Sequence, residues 1–355
     1  MNRINISKDE YLNNLKDIRN YITCMEEQHS LIDNFDRENL DVNIIKQRFT
    51  KVMSTPVVYN AVIISLYGCF ENYIDKIADS LLDFWVEKAD RYVNLANEIK
   101  QKHIKKSGEF LVNSNRFKNF EINELEVIKN LYSCFEEEKF SLNKELLLTH
   151  SGNLGIDQLI ELFNDLGIKN SKAKILGKKK FVEYIKNKNE FSDEKAKEYI
   201  NKKKGGDVNR LFEELTQLVE QRNKVAHGWC VDTRLSNSVL VEQIIPFMEM
   251  MGQVICDIFE EELIIILQTC GLLNEIDMII DVYNNNILCI NSKKSRLKVG
   301  EYIFAYTGKD YNRFKILNIQ HNEKDIQKVE EDNIDVGIFV DGYIKKIGNI
   351  TIHNT

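Results

Sequence analysis

The sequence predicts a mainly α-helical bundle carrying a long helical insert, followed by a small C-terminal β-barrel. Two observations carry that reading. Through most of residues 1–271, apolar residues recur at three- and four-residue spacing, the repeat of helices that each bury one face. After Gly271 the pattern changes to short β-rich runs separated by turn residues. We therefore expect a helical domain over 1–271, with its insert at about 104–206, and a barrel over 285–355.

The elements follow in order. Ser7-Lys8-Asp9-Glu10 reads as a capping box, and the helix after it carries Tyr11, Leu15, Ile18, Tyr21, Ile22 and Met25 on one side. Thr55-Pro56 supplies an N-cap and first turn for the longest helix, which runs to about residue 88 and on toward Lys102. Its apolar positions are dense enough for burial on more than one side, which makes it the centre of the bundle. In the insert, shorter helices are expected at 121–135, 156–166 and 193–203. Val208, Leu211, Phe212, Leu215, Leu218 and Val219 mark another amphipathic helix, with Asp207 as N-cap and Gly228 as its left-handed end. A last long helix spans roughly Ser238 to Gly271, where Pro246 must kink it or delay its start. Its apolar stripe of Ile244, Met248, Met251, Ile255, Phe259 and Leu263 fits a core or a dimer seam.

Five runs make the barrel: 287–290, 302–306, 314–319, 336–340 and 350–352.

Composition bounds the chemistry. A net charge of −7 excludes a uniformly basic coat, so any nucleic-acid contact must use a local patch. One candidate is the stretch 169–204, where Lys178, Lys179, Lys180, Lys202, Lys203 and Lys204 are interleaved with Phe181, Tyr184 and Tyr199. It fits either a phosphate-tracking surface with base-stacking aromatics or a solvated lysine-rich face. The seven cysteines show no Cys-X-X-Cys pair and read as reduced core residues. The histidines outside 227 lack ligand-spaced partners, so no zinc is expected. No Gly-rich phosphate loop and no membrane-length apolar run is present. A soluble, cytoplasmic protein without metal or cofactor is expected.

The most informative stretch is Glu220-Gln221-Arg222-Asn223-Lys224-Val225-Ala226-His227-Gly228-Trp229. Cleaving RNA with its own 2′-hydroxyl needs a base, an acid for the leaving 5′-oxygen, and positive charge where the phosphorane forms. His227 is of the residue type that most readily serves as base or acid. Arg222 stays charged and offers a planar fork to phosphate oxygens. Asn223 holds the 2′-hydroxyl or the phosphate without changing charge. Asn223 and His227 share a helix face, whereas Arg222 and His227 are offset by about 140°. That splay suits two copies of the helix packed together. Trp229 fits stacking on a base or simple packing.

Arg222-Asn223-Lys224-Val225-Ala226-His227 resembles the Arg-polar-X(3–5)-His motif of the HEPN superfamily. A second match, Ile63-Ile64-Ser65-Leu66-Tyr67-Gly68-Cys69-Phe70-Glu71-Asn72-Tyr73-Ile74, resembles the Phe-Glu helix of its stand-alone bacterial branch. The resemblance implies a metal-independent endoribonuclease of toxin–antitoxin or anti-phage (abortive infection) type. It also implies products with 2′,3′-cyclic phosphate and 5′-hydroxyl ends, and a homodimer with a composite active site. The implied partners are a tRNA, mRNA or rRNA and an antitoxin or defence-complex protein. Glu71 either pairs with Arg222 or orients His227. A non-catalytic HEPN-like scaffold, or RNA-binding subunit of such a complex, is the alternative. The order Leu297-Lys298-Val299-Gly300-Glu301 through Lys346-Ile347-Gly348 resembles the second-domain barrel of translation elongation factors. With no candidate nucleophile or acid–base constellation in it, the C-terminal domain is expected either to be a recognition module or to pack on the helical domain or extend the dimer.

Overall fold

The computed structural model describes all residues except 1, 34–39, 54, 114–119, 137–138, 150–151, 205–206, 229–232, 276–278, 293–295, 307–310, 345–350 and 355. The chain divides into two compact units, Met1–Val86 with Arg91–Phe259, and Glu87–Asp90 with Glu260–Thr355.

The helical unit is organised around α3 (Pro56–Lys88), preceded by α1 (Asn2–Asp33) and α2 (Leu40–Met53). Ile63, Leu66, Phe70, Ile74, Ile77 and Leu82 of α3 are fully buried, so the density of apolar positions has the expected result of burial on several sides. Two local readings are corrected. Ser7 lies inside α1 and bonds back to the Arg3 carbonyl at 3.0 Å. The helix starts earlier because Ile4 packs into the core. Likewise, the Thr55 hydroxyl donates to the Val52 carbonyl at 2.6 Å instead of capping α3.

Beyond Lys88, a 3₁₀ turn (Tyr92–Asn94) separates α3 from α4 (Asn97–Val112). The insert adds α5 (Glu124–Glu136), α6 (Lys144–Leu147), α7 (Ile156–Asp165), α8 (Ser171–Gly177), α9 (Lys179–Asn189) and α10 (Asp193–Lys204). A 3₁₀ turn (Val208–Phe212) leads into α11 (Glu213–Ala226).

The short helix α12 (Asn237–Val239) runs through a π-helical stretch (Leu240–Ile244) into α13 (Ile245–Thr269). Regular α-helix therefore starts only at Ile245, beside Pro246, but helical turns already lead into it from Asn237. A proline in α geometry would clash with the carbonyl four residues back, and the wider π turn just ahead of it relieves that clash. Gly271, at φ +68, closes α13: its N–H meets the Gln268 carbonyl at 3.0 Å and the Leu272 N–H reaches Leu267 at 2.8 Å. That is a Schellman ending. No single helix among the described residues is long and apolar enough to cross a membrane.

The second unit carries an antiparallel sheet that curls into a half-barrel. Its strands are β1 (Asn274–Glu275), β2 (Ile279–Tyr283), β3 (Ile287–Ser292), β4 (Tyr302–Tyr306), β5 (Tyr311–His321), β6 (Lys324–Ile326), β7 (Ile334–Val340) and β8 (Thr351–Asn354). The order is β1-β8-β4-β5-β7-β3-β2, with β6 on β5. β5 curves the sheet: its first half pairs with β4 and its second with β7, and the register shifts between Ile316 and Asn318. Such a bulge sharpens the local twist and lets one strand serve two faces. Leu288, Ile290, Ile303, Ile316, Ile319 and Ile338 fill the concave side. The Lys346-Ile347-Gly348 turn lies outside the described residues.

His103 shows how the insert is held. It is 1% exposed, its Nε2 accepts the Asn143 N–H at 3.0 Å, and its Nδ1 meets the Tyr92 hydroxyl at 3.2 Å. Burial lowers its pKa from 6.5 to about 4. The folded chain keeps this imidazole neutral, whereas the unfolded chain protonates it below pH 6.5. Its contribution is therefore complete above that pH and lost as pH falls toward 4. The unfolding free energy from urea titrations should drop across that window, by about 3 kcal/mol from this group, and His103→Gln should flatten that part of the profile.

Candidate nucleic-acid site

α11 forms because Leu215 and Leu218 repeat on one face and bury, together with Leu211 and Phe212 of the preceding turn. Asp207 does not cap it. Its carboxylate pairs with Arg210 at 2.7 Å, and regular α-helix begins only at Glu213. The C-terminal end matches the sequence reading. His227 is the C-cap, its N–H on the Asn223 carbonyl at 3.0 Å, and Gly228 takes the left-handed conformation at φ +69. A helix end of this kind presents its last side chains to solvent, and His227 is exposed.

Arg222 and Asn223 are half-buried one turn earlier. The Arg222 guanidinium carbon lies 5.1 Å from the centroid of the Tyr67 ring, within cation–π range. Tyr67, on α3 and 1% exposed, donates its hydroxyl to Glu71 Oε1 at 2.7 Å. The Tyr67 phenol oxygen itself accepts the Leu154 N–H at 2.6 Å. Burial, with the bond to Glu71, pushes the Tyr67 phenol well above its ordinary pKa, so it stays a neutral donor. Glu71 and Arg222 thus meet on one tyrosine; among the described residues no ion pair joins them directly. The carboxylate fixes the ring, and the ring carries the guanidinium.

Asn223 is pinned from the insert. Its Oδ1 accepts from Asn153 Nδ2 and from Arg222 Nη1 at 3.5 Å, which leaves its own amide N–H groups as donors. Gln221, 6% exposed, accepts from the Tyr59 hydroxyl at 2.9 Å and donates to the Thr233 carbonyl at 3.0 Å. α11 is therefore tied to α3 on one side and to the chain that follows it on the other. Tyr67, Asn153, Gln221 and Tyr59 were not singled out from the sequence. The one local signal was Tyr67 four residues before Glu71, the spacing of helical neighbours. Asn153 and Gln221 gave none. Trp229 lies outside the described residues.

The lysine-rich stretch is only partly a free surface. Lys180 pairs with Asp257 of α13 at 2.8 Å, and Lys179 lies 3.5 Å from Glu183. Lys178 stands at the N-cap of α9. Lys202, Lys203 and Lys204 form the last turn of α10, with Lys203 5.7 Å from the Tyr199 ring centroid. Two of the three interleaved aromatics are engaged in packing, while Tyr199 is half-exposed. Phe181 is fully buried, and Tyr184 donates to Glu214 at 2.9 Å, so neither presents a stacking face to a bound strand. The cysteines also differ from expectation. Among the described residues Cys134 and Cys256 are buried, whereas Cys24 is exposed; Cys230 lies outside them.

A family model described as RiboL-PSP-HEPN matches residues 30–261, a span that holds α3, the whole insert and α11. No curated protein matches the chain.

Tyr67→Phe should orphan the buried Leu154 N–H and release Glu71. We expect a loss of about 1–3 kcal/mol in urea unfolding. Tyr67→Leu should cost more, because it also removes the ring beneath Arg222.

Proposed function

Because the chain belongs to the RiboL-PSP-HEPN family, we propose that it is a metal-independent endoribonuclease acting as a toxin or anti-phage defence effector. The observation that carries the reading is the end of α11. A guanidinium is stacked on a neutral tyrosine there, an amide is fixed by Asn153, and an imidazole is exposed one turn later.

The chemistry follows from those groups. His227 takes the proton of the 2′-hydroxyl, the 2′-oxygen bonds to phosphorus, and the P–O5′ bond breaks. The leaving oxygen gains a proton from His227 of the partner subunit. Arg222 opposes the charge that builds on the non-bridging oxygens, where a preorganised donor has its largest effect. The ring is a partner that takes none of the guanidinium N–H donors, which leaves them for the phosphate. Asn223 orients the 2′-hydroxyl. The products are a 2′,3′-cyclic phosphate and a 5′-hydroxyl.

A two-fold homodimer is part of the proposal, since Arg222 and His227 point about 140° apart on one helix. The C-terminal half-barrel, among whose described residues no nucleophile–base constellation is assembled, is the recognition module in this reading. It selects the RNA or the partner that triggers cleavage.

Arg222→Ala and His227→Ala should each lower cleavage of single-stranded RNA by about 10²–10⁴-fold, the scale of a lost acid–base group. The assay uses purified protein with chelator present and counts 5′-hydroxyl ends. Undiminished cleavage by both variants would remove the catalytic assignment. Intact RNA with the wild-type protein, alone and with its neighbours' products, would favour the scaffold reading. A fully active monomer in light scattering would contradict the composite site.

A further inference from the structure

Alongside the motif helix lies a groove of about 290 Å³ that takes Tyr21 and Met25 from α1, Tyr59 from α3, and Arg234, Ser236 and Asn237 from the chain entering α12. Its volume is at the small end of ligand sites, ~300 Å³, the size for one base with its sugar and not for a peptide or duplex.

The chemistry of the walls selects the occupant. The Tyr59 ring is immobilised, because its hydroxyl donates to Gln221 at 2.9 Å and accepts the Leu235 N–H at 3.1 Å. The Arg234 guanidinium carbon lies 5.6 Å from that ring's centroid, so the groove has a flat, positively charged wall. Tyr21 is 47% exposed, a large aromatic held at the rim. Between them Asn237 offers an amide, which both donates and accepts and so can read a base edge. Ser236 is already engaged, capping α12 by accepting the Val239 N–H at 3.2 Å. Flat aromatic and guanidinium surfaces beside a single amide are what an unpaired base uses, since every base has a π-face and stacking tolerates sequence.

Position relates this groove to the cleavage site. Gln221, which holds the Tyr59 hydroxyl, is the residue before Arg222. Tyr59 and Tyr67 are eight residues apart on one helix, about 12 Å along its axis, the reach of a strand a few nucleotides long.

We propose that this groove is a subsite for one base of a single-stranded RNA, a few nucleotides from the bond that is cut. The proposal rests on the endoribonuclease reading for the purpose of binding, and its test separates the two. In the first arm, full-length His227→Ala protein is titrated with short fluorescent single-stranded RNAs, and affinity is read by anisotropy without turnover. Tyr21→Ala and Arg234→Ala, added singly to that background, should each weaken binding by about 10-fold. Tyr21→Phe should restore it, and a duplex of the same sequence should compete poorly. Both side chains are exposed, and circular dichroism checks that the fold is kept. In the second arm, the same substitutions with His227 intact should raise KM and leave kcat unchanged. If the wild type cleaves nothing, the first arm still decides. Unchanged affinity in both alanine variants overturns the subsite. So does a loss of dimer in light scattering with RNA affinity intact, which would assign the groove to a second copy of the chain.

Discussion

The helical unit depends on the burial of α3, and on what three tyrosines along it do with their hydroxyls. A buried phenol must find partners for its hydroxyl, and through them each of the three ties α3 to a different part of the chain. Tyr59 reaches Gln221 of α11, Tyr67 reaches Glu71 and the insert at Leu154, and Tyr73 reaches the Gly252 carbonyl of α13 at 2.7 Å. Tyr11 of α1 stacks on Tyr73 with centroids 4.6 Å apart and donates to the Met248 carbonyl. Position 252 has to be glycine for this: a Cβ there would lie 2.5 Å from the Tyr11 ring. Burial supplies the driving force, and the hydroxyls choose which neighbour sits where.

The electrostatics of the site follow from the same arrangement. A direct Arg222–Glu71 pair would have spent the guanidinium on a carboxylate. With Tyr67 between them, the carboxylate is satisfied by a phenol, and the arginine contacts a ring face that binds its plane. Its charge is then held in position without being cancelled, as the proposed phosphate contact requires. Asn223 is treated similarly: Asn153 engages its acceptor, so its donors remain. The insert is therefore part of the site, because one of its loops delivers both the Leu154 N–H and the Asn153 amide.

Charge elsewhere in the insert is used for packing. Lys188 meets the buried carboxylate of Glu214 with Tyr184 beside it, and Lys102 meets Asp165. These lysines are tethers between helices, and a count of basic residues along 169–204 overstates the surface open to a phosphate backbone.

What the sequence by itself determined is whatever one periodicity or one residue type decides locally. It gave the helix runs, the change to strands after Gly271, the left-handed end at Gly228, the place of His227 at the end of the motif helix, and the buried length of α3. It misjudged the first turn of α1 at Ser7 and the cap at Asp207, because side-chain bonds to a carbonyl and to Arg210 compete with capping and leave no mark on spacing. It could not foresee the π stretch before Pro246, whose wider turn accommodates the proline ring. Strands β1, β2 and β6 are too short or too polar to show period-two alternation, and only pairing with β8, β3 and β5 makes them strands. The partners of Arg222 and Asn223 were decided by tertiary structure alone. Tyr67 lies 155 residues from Arg222 in the chain and Asn153 lies 70 from Asn223, and contacts across such separations exist only once α3 is buried and the insert has folded back against it.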